Sequence, residues 1–537
     1  MKKNIFIYLC AVLMITSCSD FLDTYPYDAL SPATTWKTEG DAEKFLIGCY
    51  DGWIWGEGFF YWDCASDIGF SYHTHEGWRV IGNGTLTAAN PGSYSNTYTF
   101  TRIRRVITLL ENIDQITFAD ESKKKDIIAQ ARVIRAYDYL KMNYWYGGVP
   151  IIEAYKSADE AKVPRNTEAE VKQYIYDEVD AAIADIKDSP AARGRVAKGA
   201  ALALKMRAAL YYGDYQRALD AAKAIQNLGQ YELDPDYANL FTLAGVDSKE
   251  IILSTQHLKN LKNEWIVTVP NNADGGWSSM VPTRNLVDLY EMSDGLTKEE
   301  SAAYDPAHPF KGRDPRMAMT VLYPGQDWQG GILNTLDETL PGGGKNPNYP
   351  TVADNASKTG LTWAKYVAPL EQYGGDLYNT SICQVVFRYA EVLLTIAEAS
   401  NELNGPSEEA YTALDEVRAR AGMPAVDRTR YAAKETLREL IRRERSVELA
   451  GEGHRRADIL RWKDASGKML AETLLNTPLT RMSGTINYDE TDPYARATIF
   501  DTPVHIEDRK FAPYNRYLPI PQASRDKNPQ LTQNDGY

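Results

Sequence analysis

Two stretches of the chain set indoles beside carboxylates, carboxamides and a guanidinium. The first is "DCASDIGFSYHTHEGWRVIGNG", with Asp67, Trp78, Arg79 and Asn83. The second is split between "NNADGGW" and "PGQDWQ", with Asn272, Asp274, Trp277, Asp327, Trp328 and Gln329. A pyranose ring has an apolar C–H face that stacks on a flat indole, and its hydroxyls need fork-like polar partners. These ten residues are therefore candidates for a sugar-binding platform with at least one of the three tryptophans in contact. The competing reading is that each indole packs inward and pins its own long loop. Trp145 and Trp462 sit in helical patterns and are assigned to the core, while Trp53, Trp55, Trp265 and Trp363 stay open between the two roles.

Other chemistry is weaker in this sequence. A glycosidase needs an acid and a base flanking the scissile bond. Asp63 lies in the first Trp-rich loop and could be one of such a pair, but carboxylates abound in this acidic chain and their separation is not readable. "NNADGG" resembles a calcium loop, yet the position six past Gly275 is Val281 and not the bidentate Glu such a loop requires. A turn is the better reading. No CxxC or HExxH occurs and the six histidines are scattered, so no metal or cofactor is expected. "RELIRRERSVELAGEGHRR" alternates Glu439, Glu444 and Glu448 with Arg438, Arg442, Arg443 and Arg445. Opposite charges three or four apart predict a solvated helix face with local pairs, not a phosphate site.

The net charge of −14 argues against a nucleic-acid partner, which would need a basic patch. Lys2 and Lys3 precede an uncharged run from Ile5 to Thr16, too short to span a bilayer. That is a signal segment over 1–17. "ITSC" resembles a bacterial lipobox, which makes Cys18 the acylated first residue of the mature chain. Several acyl chains then hold the protein on a membrane. Cys49, Cys64 and Cys383 remain, too few for a disulfide scaffold. A Cys49–Cys64 bond and buried free thiols are both compatible with the sequence.

The elements that must position the platform read as helices. Val133, Ala136, Tyr137, Leu140 and Tyr144 recur at i, i+3, i+4, i+7 and i+11, and Gly147-Gly148 ends that helix. A helix over about 168–187 follows. The stretch "AKGAALALKMRAALYYGDYQRALDAAKAIQNLG" reads as two helices joined at Gly213-Asp214, with Ala218, Ala221 and Ala222 on the second. It resembles a tetratricopeptide pair, a unit that buries its face only by stacking. From near Gln384, Tyr389, Val392, Leu393, Ile396 and Ser400 share another face, with a partner helix closed by Gly422 and Pro424. A third helix spans about 431–449. Between the blocks, 231–380 is rich in Gly, Pro, Asn and Trp, with short β-pieces in "EIILSTQ" and "EWIVTVP" expected to pair with each other. Loops held on a rigid scaffold commonly carry function.

Five motifs occur in order along the whole chain: the lipobox with "CSDFLD", "RAYDYLKMNYWYGGVPII", "FRYAEVLLTIAEASNELN", "RRERSVELAGEGHRRADILRW" and the terminal "YLPIPQASRDKNPQLTQNDGY". Together they resemble the SusD/RagB family of outer-membrane nutrient-binding lipoproteins. One departure is Arg456, where the family usually has an aromatic. The resemblance implies a mainly α fold, a tetratricopeptide-like helix-pair scaffold with long irregular loops and a few short strands. Residues 18–537 then form a single domain. Its scaffold covers about 40–230 and 384–465, its loop-rich ligand region about 231–383, and its C-terminal segment 466–537. The resemblance also implies a lipid-anchored protein of the outer membrane facing the cell exterior. Such a protein captures a glycan without chemistry and delivers it to a TonB-dependent transporter. A structural lid over that transporter without glycan affinity, or a surface glycoside hydrolase, are the rival readings.

Overall fold

The computed structural model describes residues 36–537 apart from 57, 91, 93–96 and 156. The signal segment and Cys18 lie outside the described residues. The long helices are α1 (Glu39–Tyr50), α2 (Thr101–Asn112), α3 (Glu121–Tyr146), α4 (Glu168–Asp185), α5 (Lys198–Tyr211), α6 (Tyr215–Asn227), α7 (Tyr389–Asn404), α8 (Glu408–Arg420) and α9 (Lys434–Glu448). Their ends follow local chemistry. Asp120 caps the amide of Ser122 at the start of α3. Thr167 and Glu170 form a reciprocal capping box at the start of α4, satisfying donors that the helix leaves orphaned. Gly147 closes α3 at φ 63°, a left-handed conformation that costs glycine no Cβ clash.

The helices pack as neighbours, α3 on α4, α5 on α6 and α7 on α8, and α6 on α7 joins the two sequence blocks. On α5 and α6, Ala201, Ala208, Ala209, Ala218 and Ala222 are fully buried, so the small side chains do allow close approach. Leu204, Leu210 and Ile225 fill the space beside them, each burial contributing about 1.5–3 kcal/mol. The tetratricopeptide-like scaffold is thus present, and one hydrophobic cluster runs from Trp36 to Leu531 through both blocks.

The middle region is mostly irregular, with two-stranded ladders only among the described residues. Ile251–Ser254, within "EIILSTQ", pairs with Val385–Arg388 just before α7, not with "EWIVTVP". The latter makes a single bridge, Glu264 to Thr380. Gly69–Ser71 pairs with Met280–Pro282, which brings the bases of the two predicted platform loops side by side.

The Arg/Glu-rich helix α9 corrects the expectation of a solvated face with local pairs. Glu444, Arg445 and Glu448 are buried. Their partners come from distant elements. Arg388 meets Glu250 at 2.8 Å and Glu448 at 2.6 Å. Arg316 meets Glu444 at 2.6 Å and Glu448 at 2.8 Å, and Arg418 bridges Glu291 and Glu444. Burial alone would raise the Glu448 carboxyl, but Arg420, Arg388 and Arg316 outweigh it and hold it well below its ordinary value. Of the Arg/Glu pairs within α9, Arg442–Glu439 is the local one described. Arg316 and Lys365, the latter 2.8 Å from Glu452, belong to the loop region. The network therefore bolts the loops to the helices.

Trp145 and Trp462 are buried as expected, Trp53 and Trp363 join them, and Trp55 and Trp265 are exposed. Arg456, the departure from the aromatic pattern, lies over the Trp145 ring at 5.4 Å and donates to Ala65 O and Asn515 O. It fills an aromatic's place by stacking its guanidinium. Cys49, Cys64 and Cys383 are free and buried.

Candidate functional site

The two-residue hairpin Asp327–Trp328/Gly331–Ile332 projects Trp328 to the surface. Its central residues, Gln329 at φ 49° and Gly330 at φ 75°, are both left-handed. That geometry matches the twist of the flanking strands. Gln329 pays a Cβ penalty there, and such strain collects at functional loops. The hairpin forms one wall of an open groove of about 1130 Å³. Leu322 and Ala368 form the apolar floor, and both are tethered from behind through the ion-paired Arg316 and Lys365 a few residues away. Asp236, Asn239 and Glu371 supply the opposite polar rim.

Trp328 is half-buried and, like Ala368, packs against the cluster of Leu322, Leu333 and Ala364. Its Nε1 donates to Asp274 Oδ2 at 2.8 Å. The indole thus pins its loop and also lines the groove. Burial raises the Asp274 carboxyl above its ordinary value, and the Trp328 hydrogen bond opposes the rise. Asp274 is held in the 3₁₀ turn Asn272–Asp274, closed by Gly275 at φ 79°. Asn272 Nδ2 donates to Pro347 O at 3.1 Å and Ala273 N to Asn348 Oδ1 at 2.9 Å, which fixes the turn from behind. On the hairpin, Arg496 donates to Asp327 Oδ1 at 2.5 Å, and Gln329 Nε2 reaches Glu371 Oε2 at 3.5 Å across the groove. Of the ten candidates, Asp274, Asp327, Trp328 and Gln329 come together here, with Asn272 in support.

Trp277, three residues past Asp274, is half-buried and faces a different cluster. Tyr378 meets Trp277 and Trp265 edge-on, each at 5.9 Å between centroids. Trp265 is 49% exposed and Tyr378 48%. Leu258 and Leu261 are exposed in the adjoining turn. Sequence reasoning left Trp265 open and missed Tyr378, although its setting in "GGDLYNT" carries the same turn-plus-aromatic signature. It also missed Asp236 and Glu371, each in a short Pro-containing turn with no neighbouring Trp.

The first loop does not supply a platform. Trp78 is 2% exposed, stacked on Tyr61 at 5.4 Å and 18°. Asp67 is buried in a bidentate pair with Arg455, both bonds 2.8 Å. Arg79 donates to Glu507 at 2.8 Å and Asn83 reaches the same carboxylate at 3.4 Å. Asp67 and Trp78 are thus given over to the fold, because a buried charge must be paired and a buried indole cannot offer a face, while the half-buried Arg79 and Asn83 are held by Glu507. Asp63 is fully buried too. It accepts backbone N–H from Gly451, Gly453 and Arg455, and burial pushes its carboxyl up to about 7. It is sealed in the core.

Residues 241–537 match the SusD family, and residues 20–210 match a family described as starch-binding and associating with the outer membrane. A SusD-like protein of Formosa agariphila is 26% identical over 494 residues, covering 86% of this chain and 90% of its own length. A solved SusD-like carbohydrate-binding protein from Bacteroides fragilis superposes with a TM-score of 0.78 at 27% identity, covering 93% of this chain and 99% of that one. A laminarin-binding SusD-like protein shares the fold, with a TM-score of 0.67 at 23% identity over 93% of this chain and all of that one. Among the described residues no helix is long and apolar enough to cross a membrane.

Proposed function

Because the chain belongs to the SusD family, we propose that it is a surface glycan-binding protein whose contact site is the Trp328 groove. The observation that carries this reading is Trp328 itself. Its ring is fixed at Nε1 by Asp274, backed by aliphatic side chains and flanked by Gln329, Asp327 and Glu371. A stacking face and hydroxyl partners are thus set before ligand arrives, which spares the ordering cost of binding. The carbohydrate-binding relative from Bacteroides fragilis supports the same ligand class.

The finer role is capture of an oligo- or polysaccharide at the cell surface, without catalysis, and delivery to a partner TonB-dependent transporter. Cys18 carries the lipid that holds the protein on the outer membrane, facing outward. A shallow groove gives modest affinity, which suits hand-off. Asp63, the acid candidate, is sealed by three backbone amides, which favours binding over hydrolysis.

A second reading, a lid over the transporter with no glycan affinity of its own, draws on the exposed Leu258, Leu261, Trp265 and Tyr378. Migration of the protein through native gels cast with laminarin, starch, dextran and galactomannan separates the two. A binder is retarded by at least one and releases no sugar. A lid is retarded by none, and a hydrolase releases sugar.

A further inference from the structure

The groove carries charge of one sign. Its ionisable lining residues among those described are Asp236, Asp327 and Glu371, and no Lys, Arg or His lines it. All three are exposed. Asp274 stands directly behind the Trp328 indole. Arg496 neutralises Asp327. Asp236 accepts the backbone amides of Ala238 and Asn239, and Glu371 accepts the Gln329 amide at 3.5 Å. Neither has a cationic partner among the described ion pairs. The guanidiniums behind the groove are committed elsewhere. Arg316 is taken by Asp314, Glu444 and Glu448, and Arg420 by Glu250 and Glu448.

We infer that the groove is charge-selective, taking uncharged glycans and turning away chains that bear carboxylate or sulfate. This rests on the glycan-binding reading above. A sugar stacked on Trp328 lies between the hairpin and the Glu371 rim, inside the distance over which salt screens charge, about 8 Å at physiological ionic strength. A sulfate or uronate on that sugar meets the unpaired Asp236 and Glu371, and Arg496, the guanidinium beside the hairpin, is already held by Asp327. A neutral sugar meets the same carboxylates as acceptors for its hydroxyls, a charge-assisted bond stronger than a neutral one. The same oxygens thus attract one class and repel the other, which is how specificity arises from a repulsive element.

The test compares one polysaccharide with its own sulfated form, for laminarin, dextran, starch and galactomannan. Binding to the full chain in detergent is measured at low and at high salt. The expected result is that the neutral member of at least one pair binds and its sulfated form binds at least tenfold more weakly at low salt. High salt should narrow that gap. The variant D236N/E371Q keeps the shapes, removes the two unpaired charges and leaves the Arg496–Asp327 pair in place, and should narrow it too. Equal or tighter binding of the sulfated member overturns charge selectivity while leaving the glycan reading intact. So does a gap unchanged in the variant. Failure of every neutral and every sulfated chain to bind overturns the glycan reading, and charge selectivity with it.

Discussion

The loop around Trp78 and the hairpin around Trp328 carry the same side-chain types, an indole with Asp and a carboxamide, and meet opposite fates. Trp78 is stacked on Tyr61 beneath the surface, and its neighbour Asp67 is locked to Arg455, 388 residues away in sequence. Trp328 shows one side to an open groove, and its carboxylate partner Asp274 sits in a nearby turn. Composition set the two loops equal. What separates them is burial: Asp67 is enclosed with its guanidinium partner beneath the surface, whereas Asp327 stays exposed on the hairpin although Arg496 pairs with it. A loop whose indole and carboxylate are both buried becomes scaffold, and a loop whose polar groups stay exposed beside a half-buried indole can bind.

The contrast can be broken most forcefully on the buried side. Trp78→Ala should destabilise the fold by about 3–5 kcal/mol through the cavity it leaves. Asp67→Ala, which strands the Arg455 guanidinium, should cost a similar ~3–5 kcal/mol. Chemical denaturation would read both, and a loss under about 1 kcal/mol in either would place that residue outside the core. On the open side, Trp328→Ala should lower glycan affinity by ~30-fold, about 2 kcal/mol at a binding centre. Its effect on stability should be smaller than that of Trp78→Ala, since part of the Trp328 side chain already faces solvent.

Acidity sharpens the same comparison. The Glu448 carboxyl is held well below its ordinary value by Arg420, Arg388 and Arg316. A lowered folded value means that its contribution is complete above the unfolded value of 4.5 and is lost as pH falls through the lower folded one. The Asp274 carboxyl is raised instead, so it takes up its proton at a higher pH than an ordinary carboxyl. Protonation weakens it as the acceptor for Trp328. Glycan affinity should therefore decline on acidification before stability does, and Asp274→Asn should remove that early decline. Paired titrations of binding and melting temperature decide the order, and a simultaneous loss would mean that Asp274 does not govern the groove.

The smallest effect is expected at the hairpin tip. Gln329→Gly relieves a left-handed side chain and removes a polar contact, so stability should change by no more than about 1 kcal/mol. Affinity should nonetheless fall, because the Gln329 amide spans the groove toward Glu371.

The helical scaffold was legible because its signals are local. The face through Val133 and Tyr144, the stop at Gly147 and the joint at Gly213-Asp214 all stand where periodicity and glycine put them. The site was half legible. "PGQDWQ" supplied Asp327, Trp328 and Gln329, and "NNADGGW" supplied Asp274. The burial of Trp78 and the internal role of Glu444 and Glu448 depend on partners from 17 to 132 residues away, and helical spacing gives no sign of them. Glu371 and Asp236 reach the groove only through the fold of the 231–383 region, so no adjacent Trp marks them.

The central claim is that the Trp328 groove binds glycan. Affinity electrophoresis of the wild type beside Trp328→Ala, over the neutral polysaccharide panel, tests it most directly. The account predicts retardation of the wild type by at least one glycan, lost in the variant while its melting temperature stays near that of the wild type. Equal retardation of both proteins would contradict it and move the contact elsewhere, with the exposed Trp265–Tyr378 cluster the next surface to alter.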